Sequence, residues 1–332
     1  MAEQFASALM TLPDAILGGV ASRTRERSRQ FAARFKVKRS FENVRELLAA
    51  PEIEIIYICT RNEFHREDTL AALNAGKAVL CEKPFALSAA EGRVIAETAQ
   101  RRGLFCMEGM WMRFSPAVKE LKETIRSGRI GDPRLLSAHF GVSIPFDEEH
   151  RVYAPRGGGA LYDLGVYPVS LAQLLFGNPI GVCSRACIGR TGVDEQFEAI
   201  LEYESGSHAV IGASLRANLS NDARMFGAAG HAELMGGIYF PSACHVELDQ
   251  SPQSQGSGRR SVGARLRSRL GRWFVQERRP RWKRYAITEG YAIEADAVQR
   301  CLRTGSKECS EMPLTETIGV LETMDLIRHQ WN

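Results

Sequence analysis

The chain has 332 residues (36.8 kDa), 44% of them hydrophobic and 25% charged, a make-up that excludes wholesale disorder. No run approaches the roughly 20 apolar residues of a spanning helix, which excludes a membrane span. The length suits two domains, and the formal charge of +4 is uneven: residues 251–285 hold eleven Arg or Lys and one acid, Glu277, while the other 32 basic and 38 acidic residues form a body of about −6.

In chain order, Phe5, Leu9 and Leu12 recur at helical spacing up to Pro13-Asp14. Ala15–Ala21 is a short apolar run read as a strand. Thr24–Phe35 is a charged helix, and Glu42–Ala50 is a helix stopped by Pro51. Ile53–Cys59 is β-branched and reads as a strand buried on both faces, as parallel strands are. A helix over His65–Ala75, a strand over Ala78–Cys81, a helix over Ser88–Arg102 and a strand over Leu104–Met107 complete an alternation that predicts a doubly wound parallel sheet. After Ser115 the rhythm changes. A helix over Pro116–Ser127 leads to a strand near Leu135–Val142, a glycine loop and a long helix from Gly159. Strands at 182–190, 195–203, 207–217 and 224–235 follow in succession, which predicts an antiparallel sheet in an α+β arrangement. Helices over Tyr291–Arg303 and Thr315–Gln330 close the chain. The fold class is thus a Rossmann-like α/β domain over 1–112, then an α+β domain over 113–332 with a basic insertion at about 251–285.

Two local patterns carry chemistry. Cys81-Glu82-Lys83-Pro84 lies at the C-terminal end of a strand, where open α/β sheets bind ligands. Lys83 can present an ammonium there, and Lys83–Pro84 is a candidate cis peptide; a surface lysine before a turn proline is the competing reading. In Gly157-Gly158-Gly159-Ala160-Leu161-Tyr162-Asp163-Leu164-Gly165-Val166-Tyr167-Pro168, the glycines allow close backbone approach and open a helix whose free N–H groups attract negative charge. Asp163 and Tyr167, four apart, share a helix face, and Pro168 leaves the Leu164 carbonyl without its helical donor. A glycine loop before an ordinary core helix competes here. The eight cysteines include no Cys-x-x-Cys pair, and the seven histidines form no i, i+3 or i, i+4 pair. No metal site is expected, and the cysteine pattern with no secretory signal suits a reducing cytoplasm.

Taken together, these motifs resemble the glucose–fructose oxidoreductase/inositol dehydrogenase (Gfo/Idh/MocA) family over nearly the whole chain. Thr60-Arg61-Asn62-Glu63-Phe64-His65 matches the family's Thr-Pro-Asn-x-x-His loop, with Arg61 where proline is usual. Glu108-Gly109-Met110-Trp111-Met112-Arg113-Phe114, and Tyr167 where many relatives have His, resemble the dihydrodiol dehydrogenase and glucose–fructose oxidoreductase branch. The resemblance implies hydride transfer between a nicotinamide cofactor and a sugar or vicinal diol. It implies Tyr167 as acid/base, Lys83 as its electrostatic partner, lowering the phenol pKa, and Asp163 as partner of a substrate hydroxyl. Thr60, Asn62, His65, Glu82 and Lys83 would line the cofactor site. After Ala15–Ala21, Ser22 and Arg23 stand where an NAD-preferring fold carries an acid, so NADP is favoured and NAD stays open. The partner is a small molecule, and a homo-oligomer formed through the open sheet face is expected.

The family's opening strand and Gly-x-Gly-x-x-Gly/Ala turn are not found in these residues. That strand is normally central, and without it two facing strand edges are expected to be unpaired and buried, each orphan group costing about 1–3 kcal/mol. Either the start codon lies upstream and Met1 is internal, which we take as the expectation, or the product is a truncated, non-catalytic binding or scaffold protein. In the basic segment, Val262, Leu266, Leu270 and Phe274 form a helical stripe after a linker-like Ser251–Arg260. A membrane-surface or nucleic-acid helix is one reading; an insertion docking on the acidic body or another subunit is preferred, so nucleic acid is not the expected partner.

Overall fold

The computed structural model describes residues 1–249 and 286–331. The basic stripe and its linker lie outside the described residues. Helix α1 (Ala2–Leu9) is followed by α2 (Arg25–Phe35), where the Thr24 hydroxyl accepts from the Arg27 amide, and by α3 (Val44–Ala49), where the Asn43 side chain accepts from the Glu46 amide. These side chains satisfy amides that a first helical turn leaves unpaired. Then come β1 (Ile55–Ile58), α4 (His65–Asn74), β2 (Ala78–Glu82), α5 (Ala89–Arg102) and β3 (Cys106–Gly109). Ser88 caps α5, and Gly103 ends it at a φ of 61°, a left-handed conformation that costs glycine nothing. The three strands form a parallel sheet in the order β1-β2-β3, with Cys81 opposite Glu108 and Glu82 opposite Gly109.

Two expectations for this region are corrected. The run Ala15–Ala21 is not a strand but a single parallel bridge between Val20 and Ser40, bonded through Val20 N to Arg39 O at 3.0 Å and Phe41 N to Val20 O at 2.9 Å. Gly18 and Gly19 interrupt its apolar side chains, and glycine is a poor strand former. Strand β1 is not buried on both faces: Ile55–Tyr57 are half-buried and only Ile58 is buried. Among the described residues β1 is a sheet edge, unpaired on that side as expected, but half-buried rather than buried.

A 3-10 turn, Trp111–Phe114, leads into α6 (Pro116–Arg126), which opens on proline and a Ser115 cap. The second sheet comprises β4 (Pro133–Gly141), β5 (Gly181–Ile188), β6 (Asp194–Glu202), β7 (His208–Ser214), β8 (Ala223–Gly227), β9 (Gly230–Met235) and β10 (Ala243–Leu248), in the order β10-β9-β8-β4-β7-β6-β5. It is antiparallel except where β4 runs parallel to β7. The stretch 224–235, read as one strand, is two strands hinged at Ala228-Ala229, and β10 was not anticipated. Along β6, Phe197, Ala199 and Leu201 face inward while Glu198, Ile200 and Glu202 face out. The inner face packs on α7 (Val166–Phe176), with α8 (Ile287–Arg303) and α9 (Leu314–His329) completing the core shared with the first sheet.

One ion pair with a buried arginine anchors the turn after β3. The Arg113 side chain is fully buried; its Nε donates to Ser170 Oγ at 2.9 Å, its Nη2 to Ser170 O at 3.0 Å, and its Nη1 to Glu316. It thus joins the turn after β3 to α7 and α9. Arg113→Met should cost about 1–3 kcal/mol in urea unfolding, because it leaves the buried Ser170 acceptors unpaired, while Glu316 at 32% exposure can still reach water. Arg126→Ala, which breaks the exposed Arg126–Glu123 pair, should leave the midpoint unchanged.

Candidate active site

The site forms where the C-terminal end of β2 meets the segment before α7. The Lys83–Pro84 peptide is cis, and Lys83 is 6% exposed. Its Nζ donates to the Asp163 carbonyl oxygen at 2.6 Å and lies 3.6 Å from Asp163 Oδ1. The Nζ also stands 5.0 Å from the centre of the Tyr167 ring, within cation–π range. Asp163 belongs to a π turn, Leu161–Gly165, that runs into α7. Its Oδ1 also receives Arg151 Nη1 at 2.7 Å. Burial alone would raise the Asp163 carboxyl, but Lys83 and Arg151 outweigh it and hold the group below its ordinary range.

Tyr167 is buried, and its hydroxyl accepts from Trp111 Nε1 at 2.9 Å. Trp111 in turn stacks on Tyr291 (4.7 Å between ring centres) and Phe240 (5.3 Å). Here the sequence expectation is corrected. Burial pushes the phenol well above its ordinary value, Glu82, Asp163 and Glu294 add to this, and the Trp111 hydrogen bond opposes it, so the hydroxyl is raised rather than lowered. The reason is placement: the ammonium sits over the ring and is largely satisfied by Asp163.

Among the residues expected to line the cofactor site, Ser22 is half-buried, while Arg23 is exposed and makes no ion pair among the described residues. Thr60 Oγ1 donates to Asp68 Oδ2 at 2.7 Å, and Asn62 Nδ2 to Gly157 O at 2.7 Å, tying this loop to the triple glycine. His65 has no exposed surface, and its Nδ1 and Nε2 contact the carbonyls of Pro84 (2.8 Å) and Thr60 (3.1 Å). It is a strut in the crevice wall, not a group that reaches a ligand, whereas Lys83, Asp163 and Tyr167 each keep 6% exposure. Glu82 is 2% exposed and accepts from the Tyr57 hydroxyl. A dinucleotide fits this frame in part. The ends of β1 and β2 offer hydroxyl, carboxylate and ammonium, and Arg23 offers an exposed cation, while no glycine-rich phosphate turn occurs in the 332 residues. Among the described residues no three His, Cys, Asp or Glu converge as metal ligands do.

Sequence reasoning missed three residues. Arg151 lay in an unassigned loop; Trp111 was quoted only as part of a motif; and Asp194, at the start of β6, carried no sign of its contact with Leu161, 33 positions away. Its carboxyl is pushed up to about 7 by burial.

A parallel sheet with a lysine at a strand end, joined to a second domain whose π turn and following helix supply an acid and a phenol, is the architecture of a dinucleotide-dependent oxidoreductase. Residues 1–110 match the oxidoreductase family with an NAD-binding Rossmann fold, and residues 118–233 match the GFO/IDH/MocA C-terminal domain. The chain belongs to this family. It is 33% identical to trans-1,2-dihydrobenzene-1,2-diol dehydrogenase of Mus musculus, over 99% of this chain and 93% of the mouse protein, and 30% identical to that of Homo sapiens, with the same coverage. Levoglucosan dehydrogenase in complex with NADH and levoglucosan superposes with a TM-score of 0.82 at 19% identity, covering 99% of this chain and 94% of that one. A 3-ketoreductase from Actinomadura kijaniata in complex with NADP superposes with a TM-score of 0.80 at 22% identity, covering 98% and 93%. At such identities the likeness to the solved structures is one of fold.

The buried carboxyls beneath the site give stability a pH dependence. Glu108 is fully buried and pushed up to about 7 by burial, against the Phe85 amide and Arg113. Its native pKa exceeds its unfolded one, so the native state binds the proton more tightly. The associated stability is complete below the unfolded pKa and lost as pH rises to about 7. Unfolding midpoints should therefore fall across that window, and Glu108→Gln should flatten the fall.

Proposed function

We propose that the chain reduces a carbonyl on a sugar or a vicinal-diol-derived substrate, and catalyses the reverse oxidation, with Tyr167 as proton donor and acceptor. The observation that carries this reading is the convergence of Lys83, Asp163 and Tyr167 on one buried spot. Bound NADP(H) supplies the two-electron chemistry. A phenol raised by burial is held neutral and ready to give its proton to the carbonyl oxygen as the carbon is reduced. The phenolate left behind is stabilised by the Trp111 N–H and by the Lys83 ammonium over the ring. Asp163, with Oδ1 occupied by Arg151, has Oδ2 available for a substrate hydroxyl. The names of the relatives support a diol or sugar substrate.

Ser22 and Arg23, which is exposed and makes no ion pair among the described residues, support a preference for the 2′-phosphate of NADP. Lys83, Glu82, Thr60 and Asn62 would hold the nicotinamide half. We divide the chain at about residue 112 into a dinucleotide-binding part and a substrate-binding part. All eight cysteines are free, which supports a reducing compartment such as the cytoplasm. The outer face of the second sheet leaves Ile200 and Phe226 exposed, which supports pairing of copies there.

Tyr167→Phe should lower turnover about 10²–10⁴-fold while melting temperature and NADPH affinity, read by fluorescence titration, stay at wild-type values. Turnover within a few-fold of wild type removes Tyr167 from the chemistry. Arg23→Ala should weaken NADPH far more than NADH in paired kcat/KM measurements; equal losses would count against the 2′-phosphate contact.

A further inference from the structure

Asp194 lies outside every motif that pointed to the site, yet it is buried at the first turn of the segment that bears the reacting groups. Its Oδ2 accepts from the Leu161 amide at 2.7 Å, and the Ala160 amide bonds the same carboxyl. Its Oδ1 lies 2.1 Å from where a Cβ on residue 159 would stand. Residue 159 is glycine, at a φ of 108° that other residues rarely adopt. The carboxylate and the glycine therefore occupy one space between them.

The segment they start is short of bonds of its own. It opens as a π turn, and Pro168 has no N–H to give to the Leu164 carbonyl. A carboxylate across its first amides supplies acceptors from another element and meets the positive end of the helix dipole. Asp163 follows Leu161 by two residues, and its carbonyl is the acceptor for Lys83 Nζ. Tyr167 follows one turn later and meets Trp111. A small rotation of this turn would move the ammonium, the carboxylate and the phenol together. Arg328 of α9 donates to the Tyr162 hydroxyl at 2.5 Å, and its charge partly offsets that of Asp194.

We propose that Asp194 is a positioning residue for the reaction: its carboxylate, seated in the gap left by Gly159, fixes the turn that sets Asp163 and Tyr167 against Lys83. The catalytic part of this proposal rests on the oxidoreductase reading above; the structural part does not.

The test uses the full chain with Asp194→Ala, Asp194→Asn, Gly159→Ala and the Asp194→Ala/Gly159→Ala double variant. Turnover is measured alongside KM for substrate, NADPH affinity, melting temperature and amide hydrogen exchange over residues 159–170. Asp194→Ala should lower kcat by about 10–100-fold, the scale of a misplacement near 1 Å, with NADPH affinity unchanged. Exchange should rise over 160–167 and stay protected in α9. Asp194→Asn, which keeps one acceptor, should recover part of both readouts. Gly159→Ala should mimic the loss, and the double variant should fall short of the product of the two single effects, because both displace the same turn and removing the carboxylate relieves the crowding while the strain of the 108° φ stays.

Wild-type kcat in Asp194→Ala overturns the proposal. So does a loss of kcat with unchanged exchange over 160–167, or single effects that multiply. If Asp194→Ala does not fold, Asp194→Asn and Gly159→Ala carry the same comparison. If the wild-type chain reduces no member of a sugar and dicarbonyl panel, the oxidoreductase reading fails, while the exchange data still decide whether Asp194 holds the turn.

Discussion

An ammonium taken out of water must be given partners, and the site is built around meeting that demand at Lys83. The residue is fixed at the end of β2 and followed by a cis peptide. Its partners come from a segment 80 positions away: the carbonyl and the carboxylate of Asp163. Satisfying Lys83 therefore docks the π turn against the first sheet, and Tyr167 arrives with it. The second cation, Arg151, shares the Asp163 carboxylate from the more open side. Arg113 repeats the logic deeper in the core with Ser170 and Glu316. The two sheets meet through buried charges whose partners lie across the junction.

The same placement decides the state of the phenol. A lysine beside a tyrosine hydroxyl would favour the phenolate, but here the ammonium faces the ring and its charge is largely met by Asp163. Burial then dominates, and carboxylates at Glu82 and Glu294 push in the same direction. The resting group is a proton donor, and the cation matters after the proton has gone. Trp111 is the hinge of this balance, since its indole N–H donates to the phenol oxygen and its ring is clamped by Tyr291 and Phe240.

Local signals in the sequence found much of this. The helix stopped by Pro51, the helix opening at Ser88 and the succession of strands after residue 180 were read close to where they lie. The run Ala15–Ala21 misled because its composition is apolar while Gly18-Gly19 gives a strand nothing to pack. Lys83, Asp163 and Tyr167 were legible because motif spacing carried them. His65 was legible as a motif residue, but only its complete burial between two carbonyls shows that it braces the wall. Arg151, Trp111 and Asp194 were hidden because each acts through a contact whose partner is set by tertiary packing, and neither composition nor periodicity encodes such a contact.

The central claim is that Lys83, Asp163 and Tyr167 together form a hydride-transfer site, and isotope transfer tests it most directly. NADPH deuterated at the transferable position of the nicotinamide is incubated with the full chain and a panel of keto sugars and dicarbonyls, and products are read by mass spectrometry. The account predicts one deuterium on the newly formed carbinol carbon with the wild-type chain, and its loss in Lys83→Met of unchanged melting temperature. No deuterium in any product, or equal incorporation by the Lys83→Met chain, would contradict it.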